Sequence, residues 1–228
     1  MNQAKVHKDH PIRDPKKGSL SPLTVASRVR HLKRLFNWLE EEGVIQENPA
    51  RRIKTPKPKR RKPKGISMED FQALLRTTID ERPEDLRDRA IMMLLFDTAC
   101  RVGGLCGLRV GDIDLDVRQA IITEKEDKTR IAFYTQATDD ALAAWLDVRP
   151  KDNDWGFVSL GPSSFGKRLS TRGVSHMLIR QSEWAETEGP TNPHAFRHGF
   201  ARAYLMAGGD LVTLSRIMGY LVSVGQQP

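Results

Sequence analysis

The sequence predicts a mainly α-helical protein that carries a small β-hairpin or sheet. Three observations predict it. Apolar residues recur at helical spacing through most of the 228 residues. Two segments, Gln119–Thr123 and Arg130–Thr135, are β-prone and flank a charged turn, Glu124–Thr129, so they read as a hairpin. Between Arg51 and Lys64 (RRIKTPKPKRRKPK) prolines forbid a helix interior and divide the chain.

Taken in order, residues 1–20 are polar, basic and without periodicity, which predicts disorder or a remnant of something larger. A helix begins near Thr24: Val25, Val29, Leu32, Leu35, Phe36 and Leu39 share one stripe, while Arg30, Lys33, Arg34 and Asn37 turn elsewhere. Gly43 stops it. The Arg51–Lys64 segment reads as an extended, self-repelling linker, either a solvated spacer or a strap over a nucleic-acid backbone. Ser67 and Asp70 resemble a capping box that starts a helix through about Thr77. Leu86–Ala99 follows, and its apolar run Ala90–Phe96 predicts burial on most sides. After the hairpin, Ala137–Val148 is helical with Leu142, Trp145 and Leu146 inward. Asn153–Ser164 is loop with a short strand at Phe157. Helices at Thr171–Thr187, His194–Ala207 and Leu211–Met218 complete the chain.

The formal charge is +8 and the pI near 9.7, which points to a polyanionic partner. The run Ala90–Phe96 is too short to cross a bilayer, and the N-terminus lacks the apolar region of a secretory leader. Cys100 and Cys106 read as reduced, buried thiols of a cytoplasmic protein.

Three separated segments each supply cations suited to a phosphodiester. In the His194–Ala–Phe–Arg197 run, residues three apart on a helix lie about 60° from each other, so His194 and Arg197 share a face. Phe196, Phe200, Ala203 and Ala207 form the apolar stripe, leaving the imidazole and guanidinium presented on the other side. Arginine's planar fork matches two phosphate oxygens, and histidine passes protons near neutral pH. Arg101 follows the buried helix and precedes Gly103 and Gly104, where a backbone could approach closely. Lys125 and Lys128 sit in the hairpin turn, either solvated or as a mobile ammonium able to protonate a leaving 5′ oxygen. His194 and His198 are four apart, but a zincin needs Glu after the first His and here it is Ala195, so no metal site is expected.

From about Ser21 to Gly219 the chain resembles the tyrosine recombinase family, the phage-type integrases. Thr98–Asp114 (TACRVGGLCGLRVGDID) resembles its first arginine box, with Arg101 at the catalytic position. Thr123–Ile131 resembles its lysine hairpin, with Lys125 matching best and Lys128 next. His194 and Arg197 match its H-x-x-R box, continued by Gly208–Gly209–Asp210. The resemblance implies a metal-free and nucleotide-free reaction on double-stranded DNA, with no cofactor. The arginines and lysine stabilise the transition state while a tyrosine attacks the scissile phosphate. It divides the chain into a partial helical core-binding domain with a disordered N-terminus (1–50), a basic linker (51–64) and a catalytic domain (65–228). DNA contacts are then expected from Arg30, Lys33, Arg34, Lys54, Lys57, Lys59, Arg60, Arg61, Lys62, Lys64 and Lys128. Self-association on DNA and a nucleoid-associated location would follow.

The chain departs from the family pattern in four places. Tyr220 stands where the family has His or Trp, and it is the nucleophile only as a minor alternative. The usual tyrosine position falls beyond Pro228, and Leu221–Pro228 does not resemble the family there. Gly104 stands where the first box often has Glu, which is expected to loosen the support of Arg101. The N-terminal domain is expected to be short of its first helices. The expectation is therefore a phosphate clamp without its nucleophile, binding DNA but deficient in cleavage; the alternative is a non-catalytic protein that occupies sites or interferes with full-length recombinases.

Overall fold

The computed structural model describes residues 20–58, 63–79, 82–124 and 128–219. The chain divides into two compact units, Met1–Lys62 and Pro63–Pro228.

In the first unit, helix α1 spans Pro22–Glu41. Ser21 caps it by accepting from the Thr24 N–H at 3.1 Å. Gly43, at φ +70°, ends it, and the Val44 N–H returns to the Leu39 carbonyl at 2.9 Å. Of its predicted stripe, Leu32 and Leu35 remain exposed, and only Ala26 of the helix is buried. Among the described residues α1 is the only helix of its unit, so its apolar face has little to pack on. The predicted disorder of residues 1–20 lies outside the described residues except at Leu20.

The second unit orders α2 (Met68–Arg76), α3 (Pro83–Thr98), α4 (Val102–Gly107), β1 (Ile113–Asp114), β2 (Gln119–Thr123), β3 (Thr129–Phe133), α5 (Gln136–Val148), α6 (Thr171–Trp184), α7 (Pro193–Met206) and α8 (Leu211–Ile217). Ser67 caps α2 through the Asp70 N–H at 3.0 Å, as the sequence predicts. Helix α3 is the centre: Ala90 to Leu95 are all buried, and it packs mainly on α5 and α7. Each such Leu, Ile or Met side chain contributes about 1.5–3 kcal/mol by leaving water. Asp88 ties α3 to α6, accepting from Arg87 at 2.6 Å, Arg180 at 2.8 Å and Gln181 at 3.0 Å.

The sheet is antiparallel in the order β1-β2-β3, with Ile121 opposite Ile131 and Ile122 opposite Arg130. Ala120, Ile122 and Ala132 face the core. The hairpin was expected; the third strand was not, nor was α4. The predicted strand at Phe157 is absent: Phe157 is buried, and only single bridges form nearby, at Trp155 and Val158. The segment before α2 meets α7 closely. A Cβ at Gly65 would lie 2.5 Å from the Gly199 nitrogen, and the Ile66 N–H donates to the Ala195 carbonyl at 2.9 Å.

Candidate functional site

Helix α3 ends in an unusual turn. Ala99 adopts a left-handed conformation at φ 48°, which swings the chain away and leaves the last helical carbonyls open. Guanidiniums fill them. Arg130, from β3, donates to the Thr98 carbonyl at 2.8 Å. Arg197, from α7, donates through Nη1 to the Ala99 carbonyl and through Nη2 to that of Met218, just past α8. Cations at a helix C-terminus also meet the negative end of its dipole.

Helix α7 is oriented by Asn192, whose side chain accepts from the Ala195 N–H, and by Pro193 in its first turn. His194 is exposed, but Arg197 is buried, only 4% accessible. This corrects the expectation that the guanidinium is presented outward beside the imidazole. The reason is tertiary: two helix ends and a carboxylate converge on it. Arg101 precedes α4 and keeps part of its side chain accessible.

A cleft of about 440 Å³ opens between these parts, lined by residues including Arg101, Gly103, Gly104, Glu124, His194 and Arg197. Its floor holds a carboxylate. Glu124, 8% accessible, pairs through Oε2 with the Arg101 guanidinium and accepts the Arg101 backbone N–H on Oε1 at 3.1 Å. Oε1 also lies 3.6 Å from Arg130 and 3.7 Å from Arg197. The expectation that Gly104 leaves Arg101 poorly supported is therefore corrected: the support comes from Glu124. The sequence pattern assigns Glu124 to the charged hairpin turn. The signal that reveals it is strand periodicity, because Glu124, just past β2, continues the alternation that turns Ala120 and Ile122 inward.

Burial shapes the titration of this region. Desolvation raises the pKa of Cys100, opposed by its bond to Thr98 and by the charges of Arg130 and Arg197. It raises Cys106 to about 11. Both thiols are free and buried, as expected. Desolvation also pushes Arg130 down from its ordinary value; Cys100 opposes this, and Arg197 and Arg101 add to it.

Three of the four predicted clamp residues, Arg101, His194 and Arg197, thus line one cleft. Lys125 and Tyr220 lie outside the described residues, as do Lys59, Arg60, Arg61 and Lys62. Lys128 is exposed at the near edge of β3, and its carbonyl accepts from the Glu124 N–H at 2.9 Å. Arg30 and Arg34 are exposed on α1 and Lys33 half-buried; Lys54, Lys57 and Lys64 are exposed. Among the described residues no group of His, Cys, Asp and Glu could hold a metal ion, and no helix is long and apolar enough to cross a membrane.

The architecture is that of tyrosine recombinase catalytic domains. The Tn1549 transposon integrase, solved in complex with a circular intermediate DNA, superposes with a TM-score of 0.71 at 19% identity, over 89% of this chain and 72% of that one. XerH site-specific recombinase, in a post-cleavage complex with a palindromic difH substrate, gives 0.70 at 20%, over 89% and 62%. Residues 65–222 match the phage integrase family. The tyrosine recombinase XerC of Actinobacillus pleuropneumoniae serotype 7 (strain AP76) is 34% identical over 213 residues, which is 92% of this chain and 68% of that protein. The chain belongs to the phage integrase family, the tyrosine recombinases.

Proposed function

We propose that this chain acts in site-specific DNA recombination, gripping a scissile phosphodiester in the cleft. Arg101 and Arg197 stabilise charge on the phosphate, His194 moves a proton, and Lys125 reaches in from the hairpin turn. The observation that carries this reading is the meeting of Arg101, His194 and Arg197 in one cleft of a family member. Residues 1–50 serve as part of a DNA-clasping helical domain, with Arg30, Lys33 and Arg34 toward the backbone. Residues 51–64 are a cationic linker and 65–228 the catalytic domain. On this reading the protein works in the cytoplasm, on nucleoid DNA, and self-associates there.

The 228 residues contain three tyrosines. Tyr134 is buried, its hydroxyl donating to the Asp114 carbonyl at 3.0 Å, and Tyr204 packs on Phe200 with ring centroids 6.1 Å apart. Neither lines the cleft. On this reading neither is the nucleophile, Tyr220 is the tyrosine left to test, and the chain is expected to bind duplex DNA but to be deficient in cleavage. The same observation favours a second reading, a protein that occupies sites and interferes with full-length recombinases. A nicked suicide duplex tests both. Salt-sensitive binding with no covalent adduct on a denaturing gel is expected. An adduct that disappears in Tyr220→Phe would show that Tyr220 is the nucleophile, and no binding at low salt would sink the DNA reading. Inhibition of a full-length relative by the added chain selects the second reading.

A further inference from the structure

Among the described residues Glu124 is the only acidic side chain lining the cleft, and three guanidiniums surround it. Arg197 and Arg130 are largely buried, with side chains 5% and 14% accessible. Cations withdrawn from water need a partner, and taking the partner away leaves an uncompensated buried charge. The carbonyls of Thr98, Ala99 and Met218 accept hydrogen bonds but carry no full charge. Glu124 brings a full negative charge within reach of all three guanidiniums. Its placement depends on Gly104. A Cβ there would lie 2.7 Å from Ile122 Cγ2, 3.3 Å from the Thr123 carbonyl and 3.5 Å from Glu124 Cγ, so a side chain on α4 would push the end of β2 away.

We infer that Glu124 is a built-in counter-anion and the positioning residue of the clamp. Its carboxylate holds Arg101, Arg130 and Arg197 together while no phosphate is bound, so Arg101 faces the cleft already ordered. The inference rests on the reading of the cleft as a phosphate grip. The carboxylate that the resemblance places at position 104 is here supplied from the sheet, and the glycine at 104 makes the room for it. Preordering matters because an arginine ordered only on binding would surrender conformational entropy at that moment.

The test uses the full chain and inorganic phosphate. Glu124→Gln keeps the shape and removes the charge. In chloride buffer it is expected to melt roughly 10 °C below wild type, the scale of breaking a buried ion pair in a domain of this size. At matched ionic strength, phosphate should restore at least about half of that loss, because an anion bound only by the folded state replaces the missing charge. Asp88→Asn, which breaks the other buried ion cluster, is the control. It should also melt early, yet it and wild type should gain only the small general stabilisation that phosphate gives any protein. Equal phosphate responses in all three proteins, or a Glu124→Gln as stable as wild type, overturn the inference. Should Glu124→Gln fail to fold, Arg101→Gln combined with Glu124→Gln decides. Recovery of folding supports the counter-anion, since a cation has been removed with the anion; continued failure overturns it. Duplex binding by the wild type is measured separately, and its absence would count against the proposed function alone.

Discussion

A guanidinium buried as deeply as Arg197 needs acceptors, and it has the carbonyls of Ala99 and Met218 with Glu124 at 3.7 Å. These interactions join the ends of α3 and α8 to β2 through one side chain. Arg197→Ala removes all of them and leaves two buried carbonyls and part of a carboxylate unanswered. It should cost about 3–5 kcal/mol of stability, seen as a lower urea midpoint with an unchanged slope. Affinity for a short duplex should fall by about 1.5–3 kcal/mol in the folded fraction. Unaltered affinity would remove Arg197 from the clamp. Helical spacing correctly puts His194 and Arg197 close in direction, yet it cannot tell an outward arginine from one swallowed by neighbouring elements. That distinction depends on the left-handed turn at Ala99, which no local pattern marks, since alanine has no preference for such a conformation.

Elements with local causes are legible, and those fixed by distant neighbours are not. The cap at Ser67, the stop at Gly43 and the β2–β3 pairing each follow from residues near in sequence. The helix α4 holds three glycines in six residues and would not form alone; strand β1 is two residues long and exists only by pairing with β2. The placement of α7, and with it His194 and Arg197, depends on a glycine-to-glycine approach that the sequence leaves unannounced. Cβ atoms at Gly65 or Gly199 would fall 2.5 Å from the Gly199 nitrogen and 2.7 Å from Ile66 Cγ2 respectively. Backbone cannot yield as a long side chain can. Gly65→Ala should therefore destabilise the fold by about 1–3 kcal/mol and weaken duplex binding by displacing the helix that carries the clamp. A stable Gly65→Ala with wild-type affinity would show that α7 is located by its core face alone.

At the scale of the whole molecule, the charge of +8 is unevenly distributed in kind. The cleft's cations share a carboxylate and hydrogen-bond acceptors, so they are ordered groups suited to one phosphate. Lys54 and Lys57 are exposed between prolines, in a segment without helix or strand. Cations of that kind exchange places with condensed counterions and give affinity without selectivity. The two sets should separate in salt. Replacing Lys54 and Lys57 together with Gln should flatten the dependence of log affinity on log salt by roughly 1–2, since each phosphate neutralised adds about 0.9 to the slope. Affinity should fall equally on any duplex sequence. On the proposed reading Arg101→Ala also gives up a phosphate contact, but one at the cleft, so its effect should be largest on a duplex carrying a recombination site. Fluorescence anisotropy on two duplexes, across a salt series, measures both. A linker variant with an unchanged slope would show that this segment is only a spacer and that the electrostatic grip comes from elsewhere in the chain.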